Sequence, residues 1–358
     1  MFDACIIGGG GVVGAAIARD LTQRGLKVIA VEKHESACRE TSGLNSRVVH
    51  SGFHETPGTL KAELAREGSR LMIEYAKERG IPFLKTGMLI AVPYGSVRAG
   101  LWKEADALWR LWRQGRKQQI PFRFILTPGG VRRLAPIRAM GGIFIPSVCV
   151  VEIEAIVDSL IREAEAGDTP YLFGTEVTAI RLKPDRYVIE TNAGTIEART
   201  LINSAGLAAH EVSRMAGGPS YEIQLIRGDY YELIGGIDRW GIRTLVYPAM
   251  PPHSRSKGVH FGPRTDGRLY IGPSATPAPA QADKDLFLQA ARKFLPDIQE
   301  QDLRSAYSGT RPKHGKDFTI SLDRTSPNLV NLIGIDSPGL SASFGIARRV
   351  AEMILAAR

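Results

Sequence analysis

Apolar and polar positions alternate along this chain in a way that changes period several times. A short apolar run, Ala4-Cys5-Ile6-Ile7, leads into Gly8-Gly9-Gly10-Gly11-Val12-Val13-Gly14 and then into a helical pattern over residues 15–24. Gly25 is placed to close that helix, and a second apolar run, 27–31, ends at Glu32. The spacing predicts strand, turn, helix, turn, strand. Helical periodicity returns over residues 69–79, 101–118 and 152–166. Short strands are predicted at 171–173, 176–182, 186–191 and 195–199, and the apolar strand 200–204 runs into the small residues Ala205 and Gly206. Alternating strands at 228–233, 245–247, 258–261 and 269–271, broken by Pro-rich turns, read as an antiparallel sheet with a helix at 289–294 beyond it. A last apolar strand, 328–333, enters a Gly-rich turn and the helix 342–357.

Within the first unit, Gly9-x-Gly11-x-x-Gly14 has the spacing of a dinucleotide fingerprint. Glycine there permits a tight turn, lets backbone N–H groups approach a pyrophosphate, and lets helix pack close to strand. Glu32 stands eighteen residues after Gly14 at a strand end, where a carboxylate accepts from ribose hydroxyls. That acid speaks against a 2′-phosphate, so NADP is the least expected occupant. The turns at 205–206 and 334–341 add two more strand ends that open onto helix N-termini.

A length of 358 residues suits two domains, and 44% apolar with 23% charged residues is an ordinary globular composition. The net charge of +9 fits nucleic acid, a membrane surface or an anionic substrate. No basic block carries the interleaved aromatics of a single-strand binder, so no nucleic-acid partner is expected. The densest basic run, Arg110 to Lys117, lies in the helix predicted at 101–118, read as a packed helix with a basic outer face or as a membrane-surface helix. Three cysteines without a C-x-x-C pair predict no disulfide framework and no metal site, and fit a reducing compartment. Asp3 stands where a signal peptide carries positive charge, and no apolar run reaches 18 residues, so neither an export signal nor a spanning helix is expected. The expected location is cytoplasmic, with peripheral contact at the inner face of the membrane as the alternative.

The order of elements and several motifs resemble the FAD-dependent D-amino-acid oxidase superfamily, and within it the L-2-hydroxyglutarate dehydrogenase group. The motifs are NSRVVHSGFHETPGTLK (45–61), GGIFIPS (141–147), IRGDYYEL (226–233), LVYP (245–248), GVHF (258–261), DGRLYIGPSA (266–275), SGTRPK (308–313) and GIDSPGLSAS (334–343). The resemblance implies an α/β, two-domain fold. A Rossmann-like FAD-binding domain would comprise residues 1–85, 148–215 and 305–358, and an inserted antiparallel-sheet substrate domain 86–147 and 216–304. It implies FAD as cofactor, with Gly9, Gly11 and Gly14 at the pyrophosphate, Glu32 at the adenosine ribose, Val177 at the adenine, and Lys33 as a further cofactor contact. Ala205 and Gly206 would line the dinucleotide, Ser42, Asn45 and Ser46 would cover the flavin, and Gly309, Arg311, Gly334, Gly339, Leu340 and Ser341 would approach it. Two departures stand out: four consecutive glycines where relatives have three, which leaves the turn's register open by one residue, and His54-Glu55 where the hydroxyglutarate group has two tyrosines.

Oxidising a 2-hydroxy acid requires a hydride to leave C2 for flavin N5, a base for the hydroxyl proton, and cations for the carboxylate. His50 and His260 are the candidate bases. Lys61, Arg227, Arg311, Tyr231, Tyr247 and His54 are the candidate substrate contacts, and the resemblance leaves open a covalent link from His50 to the flavin. The resulting expectation is oxidation of a small 2-hydroxy acid, L-2-hydroxyglutarate first, to the 2-oxo acid, with oxygen, a quinone or an electron-transfer protein as acceptor. The rival is an amine or amino-acid oxidase, in which Glu55 or Asp229 would meet the ammonium. A third reading, a flavin-binding module that meets RNA without turnover, has only the basic charge to support it.

Overall fold

The computed structural model describes residues 1–94, 102–250, 257–323 and 326–356. The first of two large sheets is built around Phe2–Ile7, which pairs in parallel with Val28–Val31 on one side and Gly194–Asn203 on the other. Tyr171–Leu172 and Leu329–Ile333 extend the parallel arrangement outward. Four apolar residues in a row at Val28–Val31 are all buried, as a strand covered on both faces demands. Helices Val12–Gln23, Leu60–Glu78, Ile153–Ala166 and Gly339–Ala356 cover one face and share a core with it. The antiparallel hairpin Val177–Leu182 and Tyr187–Thr191 continues the sheet beyond Gly194–Asn203.

The second sheet has nine strands among the described residues. Most pairs are antiparallel, but Leu245–Pro248 runs parallel to Met88–Pro93, so the expectation of a purely antiparallel sheet is corrected at that pair. Gln224–Leu233 pairs with Leu303–Lys313 along its length. By hydrogen bonding, Leu303–Lys313 therefore belongs to the second sheet. Its far end reaches back to the first unit, and Gly309 lies so close to the Leu44 carbonyl that a Cβ there would overlap it.

Several boundaries moved for reasons that lie far off in sequence. The helix predicted at 69–79 begins at Leu60, because Thr59 caps it and the Asp317 carboxylate accepts from the N–H groups of Leu60 (2.8 Å) and Lys61 (2.9 Å). The strands predicted at 195–199 and 200–204 are one strand, Gly194–Asn203, whose two halves serve different neighbours. The helix predicted at 289–294 is Lys284–Arg292, started by Asp283 as cap. The one predicted at 101–118 is Trp102–Lys117, with Leu101 outside the described residues.

Candidate active site

A cavity of about 780 Å³ runs from the glycine turn of the first sheet to the inner face of the second. That size is in the range of cofactor and substrate pockets. At its first end, Phe2–Ile7 stops at Ile7 and Gly8 takes the turn, with φ +85° and a Cβ position only 2.5 Å from the Ser204 carbonyl oxygen. Gly14 sits directly under Gly8, where a Cβ would overlap the Gly8 carbonyl. Gly11 opens the helix Val12–Gln23 without a side-chain cap, and the Val12 N–H donates to Ser42 Oγ at 3.0 Å. Glu32 is buried at the end of the next strand, accepting from the N–H groups of Gly10 and His34, both at 3.1 Å. The extra glycine thus settles the register. Gly8, Gly10, Gly11 and Gly14 line the cavity, whereas Gly9 faces away from it, toward Ala30 and Tyr171.

The loop after Glu32 is pinned from the second sheet. Thr41 Oγ1 donates to the Thr310 carbonyl at 2.8 Å, Arg264 donates to the carbonyls of Asn45 (3.2 Å) and Ser46, and Tyr307 OH donates to the Asn45 carbonyl at 2.8 Å. Arg264 is 4% exposed and satisfied by main-chain oxygens and Tyr307, a cation used as a clamp. Further along, Ser341, at the start of Gly339–Ala356, accepts from the His50 N–H at 2.8 Å and donates to the Val48 carbonyl at 3.3 Å. This fixes His50 against the N-terminus of the last helix.

Three histidines surround Tyr247. The His260 ring stacks on it with centroids 3.9 Å apart, and Tyr247 OH meets His260 Nε2 at 3.0 Å. His260 Nδ1 lies 3.4 Å from the Gly258 carbonyl, so both ring nitrogens of His260 are engaged. His50 sits 6.0 Å from the Tyr247 ring and His54 5.7 Å from it, each with a buried Nδ1 that has no hydrogen-bond partner among the described residues. Burial first, then the nearby Lys257 and the other histidines, hold His50 well below the ordinary histidine value. Burial and Lys257 bring His54 to about 3, and burial brings His260 to about 3 against the opposing hydrogen bond to Gly258. All three rings are neutral at pH 7. Burial likewise raises the Tyr247 phenol well above its usual range.

Of the predicted cofactor contacts, Gly11, Gly14, Glu32, Lys33, Ser42, Asn45, Ser46, Val177, Ala205, Gly206, Gly309, Arg311, Gly339, Leu340 and Ser341 line the cavity. Gly334 does not; it takes φ +68° and packs against His314. Of the predicted chemistry, His50, His260, Tyr247 and Arg311 line it, and His54 stands just behind Tyr247.

Three expected substrate contacts fall elsewhere. Arg227 pairs with the buried Asp229 at 2.7 Å, Tyr231 packs on Phe287 with centroids 4.7 Å apart, and Lys61 pairs with Asp336 at 2.6 Å. The first two follow from strand geometry: Ile226, Gly228 and Tyr230 face the cavity, so the odd positions between them point to the opposite side. Reading parity from Gly228 would have found Tyr230. Lys257, which lines the cavity and pairs with Glu55 at 2.7 Å, stands one residue before the GVHF motif and carried no signal of its own. Arg264 and Tyr307 carried none either.

The sequence profile of the FAD dependent oxidoreductase (DAO) family matches residues 3–353. The chain belongs to that family. Its cofactor is FAD, and its fold and enzyme class are those of FAD-dependent oxidoreductases. The chain is 28% identical to L-2-hydroxyglutarate dehydrogenase, mitochondrial, of Arabidopsis thaliana, over 98% of its own length and 83% of that protein's. It is 27% identical to a glycerol 3-phosphate dehydrogenase of Caloramator mitchellensis, over 99% and 74%. A solved structure of the L-alpha-glycerophosphate oxidase of Mycoplasma pneumoniae with FAD bound superposes with a TM-score of 0.89 at 26% identity, covering 99% of this chain and 94% of that one.

The residues present fit FAD. A Cβ-free turn at a helix N-terminus suits a pyrophosphate, and a buried carboxylate at the end of the second strand suits a ribose. The far end of the cavity offers a second helix start, at Gly339–Ser341, beside His50.

Proposed function

We propose that this FAD-dependent oxidoreductase oxidises a small secondary alcohol bearing an acidic group. The observation that carries this reading is that one cavity is lined both by the imidazole of His50 and by Arg311, which forms no ion pair among the described residues. A neutral imidazole is the form that accepts a hydroxyl proton, and a guanidinium holds a carboxylate or phosphate. When bound, FAD supplies the hydride acceptor. His50 takes the hydroxyl proton at its ring nitrogen and is held in place through its own N–H by Ser341. Tyr247 gives its one O–H proton to His260 Nε2, the acceptor left when Nδ1–H donates to the Gly258 carbonyl, so its oxygen is fixed in the cavity as an acceptor and His260 serves as a positioning residue. Arg311, with Lys257 also lining the cavity, holds the acidic group. An anion bound there offsets the influence of Lys257 and makes His50 a stronger base in the complex.

Within this class, L-2-hydroxyglutarate is favoured by the motifs but weakened by His54-Glu55 in place of two tyrosines, and glycerol 3-phosphate is favoured by the likeness to the glycerophosphate oxidase structure. The amine reading is disfavoured because its acceptors are taken. Glu55 is held by Lys257, and Asp229 is bonded to Arg227, the Ser274 hydroxyl and the Ala282 N–H on the far side of the strand. The test is an anaerobic visible spectrum of the holoenzyme with L-2-hydroxyglutarate, glycerol 3-phosphate and sarcosine in turn. Bleaching by either acidic alcohol is the expected result; bleaching by sarcosine alone overturns it.

A further inference from the structure

The charge of this protein is not spread evenly. Between Ala105 and Met140 stand eight arginines and lysines and a single acid, Asp106, a net of +7 against +9 for the whole chain. Asp106 is itself paired with Arg110 at 3.2 Å. The same segment exposes large apolar side chains: Trp109 at 51%, Phe124 at 46% and Leu126 at 83%. Helix Trp102–Lys117 turns Leu108, Leu111 and Gly115 inward and leaves Trp109, Arg113, Arg116 and Lys117 facing out, with the Arg113 guanidinium 4.7 Å over the Trp109 ring. Arg123–Ile125 is the edge strand of the second sheet. It lies beside that helix, because Gly115 packs under Phe122 and the Phe122 ring is 5.8 Å from Phe124.

We infer that the helix Trp102–Lys117, with the edge strand and the loop to Leu126, is a docking surface for an anionic lipid bilayer. Apolar side chains ringed by arginines are what an interfacial element presents: the apolar tips enter the headgroup boundary while the cations stay with the phosphates. Two other partners fit worse. A nucleic acid would match the charge but offers no apolar medium for Leu126 and Phe124. A second copy of the chain would match the apolar patch but would bring like charge against like, since residues 102–126 carry six arginines and lysines against two acids, a net of +4.

The surface connects to the active site. Gln118, just past the helix, donates from Nε2 to the carbonyls of Gly52 (3.3 Å) and Glu55 (3.1 Å), and the Phe53 ring lies 5.6 Å from Phe122. The loop that carries His50 therefore rests on the back of the docking element, and a docked enzyme holds its catalytic cavity close to the bilayer.

The test is sedimentation of the full-length holoenzyme with vesicles of phosphatidylcholine alone or mixed with phosphatidylglycerol, at low and physiological salt. Binding that requires phosphatidylglycerol and weakens with salt is expected. Arg113→Gln and Arg116→Gln should each weaken it roughly fivefold, and Phe124→Ser with Leu126→Ser should weaken it at least tenfold at unchanged charge. Retained flavin and unchanged turnover with a soluble dye acceptor would show that these variants are folded. The inference is overturned by equal sedimentation with and without phosphatidylglycerol, or by variants that bind as the parent does. It is equally overturned by RNA binding that survives loss of Phe124 and Leu126, or by a dimer that those two substitutions dissolve while vesicle binding is absent.

Discussion

The two ends of the cavity are built from different materials. At the glycine end, the shape comes from backbone: a strand stop, a turn at Gly8 with φ +85°, and a helix start at Gly11, with one carboxylate, Glu32, behind them. At the histidine end, it comes from side chains that meet from five separate parts of the chain, His50, Tyr230, Tyr247, Lys257 and Arg311. A backbone site tolerates almost no added atom, whereas a side-chain site tolerates changes of volume and fails through charge and proton position. The same chain therefore breaks in two distinguishable ways.

The largest effect is expected at Gly14. A side chain there has no room, since its Cβ would overlap the Gly8 carbonyl and stand 2.9 Å from Ser204 Oγ, both parts of a tightly paired sheet edge. Gly14→Val should yield protein purified without visible flavin absorbance and with a markedly lower melting temperature. A variant that retains full flavin would show that the turn can shift, and the contrast between the two ends would lose its basis.

At the other end, His50→Ala should keep the flavin and lower kcat by about 10²–10⁴-fold, the usual worth of a positioned base. The loss should be larger than for His260→Asn, because His260 acts through Tyr247. Equal losses would make the two histidines one unit; a loss confined to His260→Asn would move the proton acceptor there.

Most of the glycine end was legible because its signals are local. Strand, turn, helix and Glu32 fall within the first 32 residues, and only the choice between Gly8 and Gly9 needed coordinates. The histidine end was legible by region but not by residue. The motif 226–233 lies on a cavity strand, yet Arg227 and Tyr231 lie on its far face, which composition cannot show and one known inward residue would fix. Lys61 looked like an anion anchor until Asp336, 275 residues away, proved to hold it. Arg264 was invisible because its partners are carbonyl oxygens, which every residue possesses.

That difference between the strand's two faces can be turned into a measurement. Arg311→Met should raise KM for an acidic alcohol roughly 10–100-fold, the loss of one charge-assisted hydrogen-bonded contact, with a smaller change in kcat. Arg227→Met should leave KM within about twofold but destabilise the protein by about 1–3 kcal/mol, since it removes the cation from the buried Asp229. A KM effect at Arg227 equal to that at Arg311 would contradict the alternation along Gln224–Leu233.

The smallest expected effect is a pH dependence of stability set by the histidine end. His54 and His260 are held at about 3 in the folded protein, below the ordinary histidine value near 6.5 that they recover on unfolding. Between those values the unfolded chain binds more protons than the folded one, so stability is full above about pH 6.5 and falls as pH drops toward 3. For His260, which is 5% exposed, the cost by pH 5 is on the order of 1–2 kcal/mol. His260→Phe should flatten that slope while removing the contact to Tyr247. Thermal melts from pH 8 to pH 4.5 would read this directly. A parent protein equally stable across that range would mean that the histidines take up protons in the fold as readily as in the unfolded chain, which contradicts rings held neutral by burial.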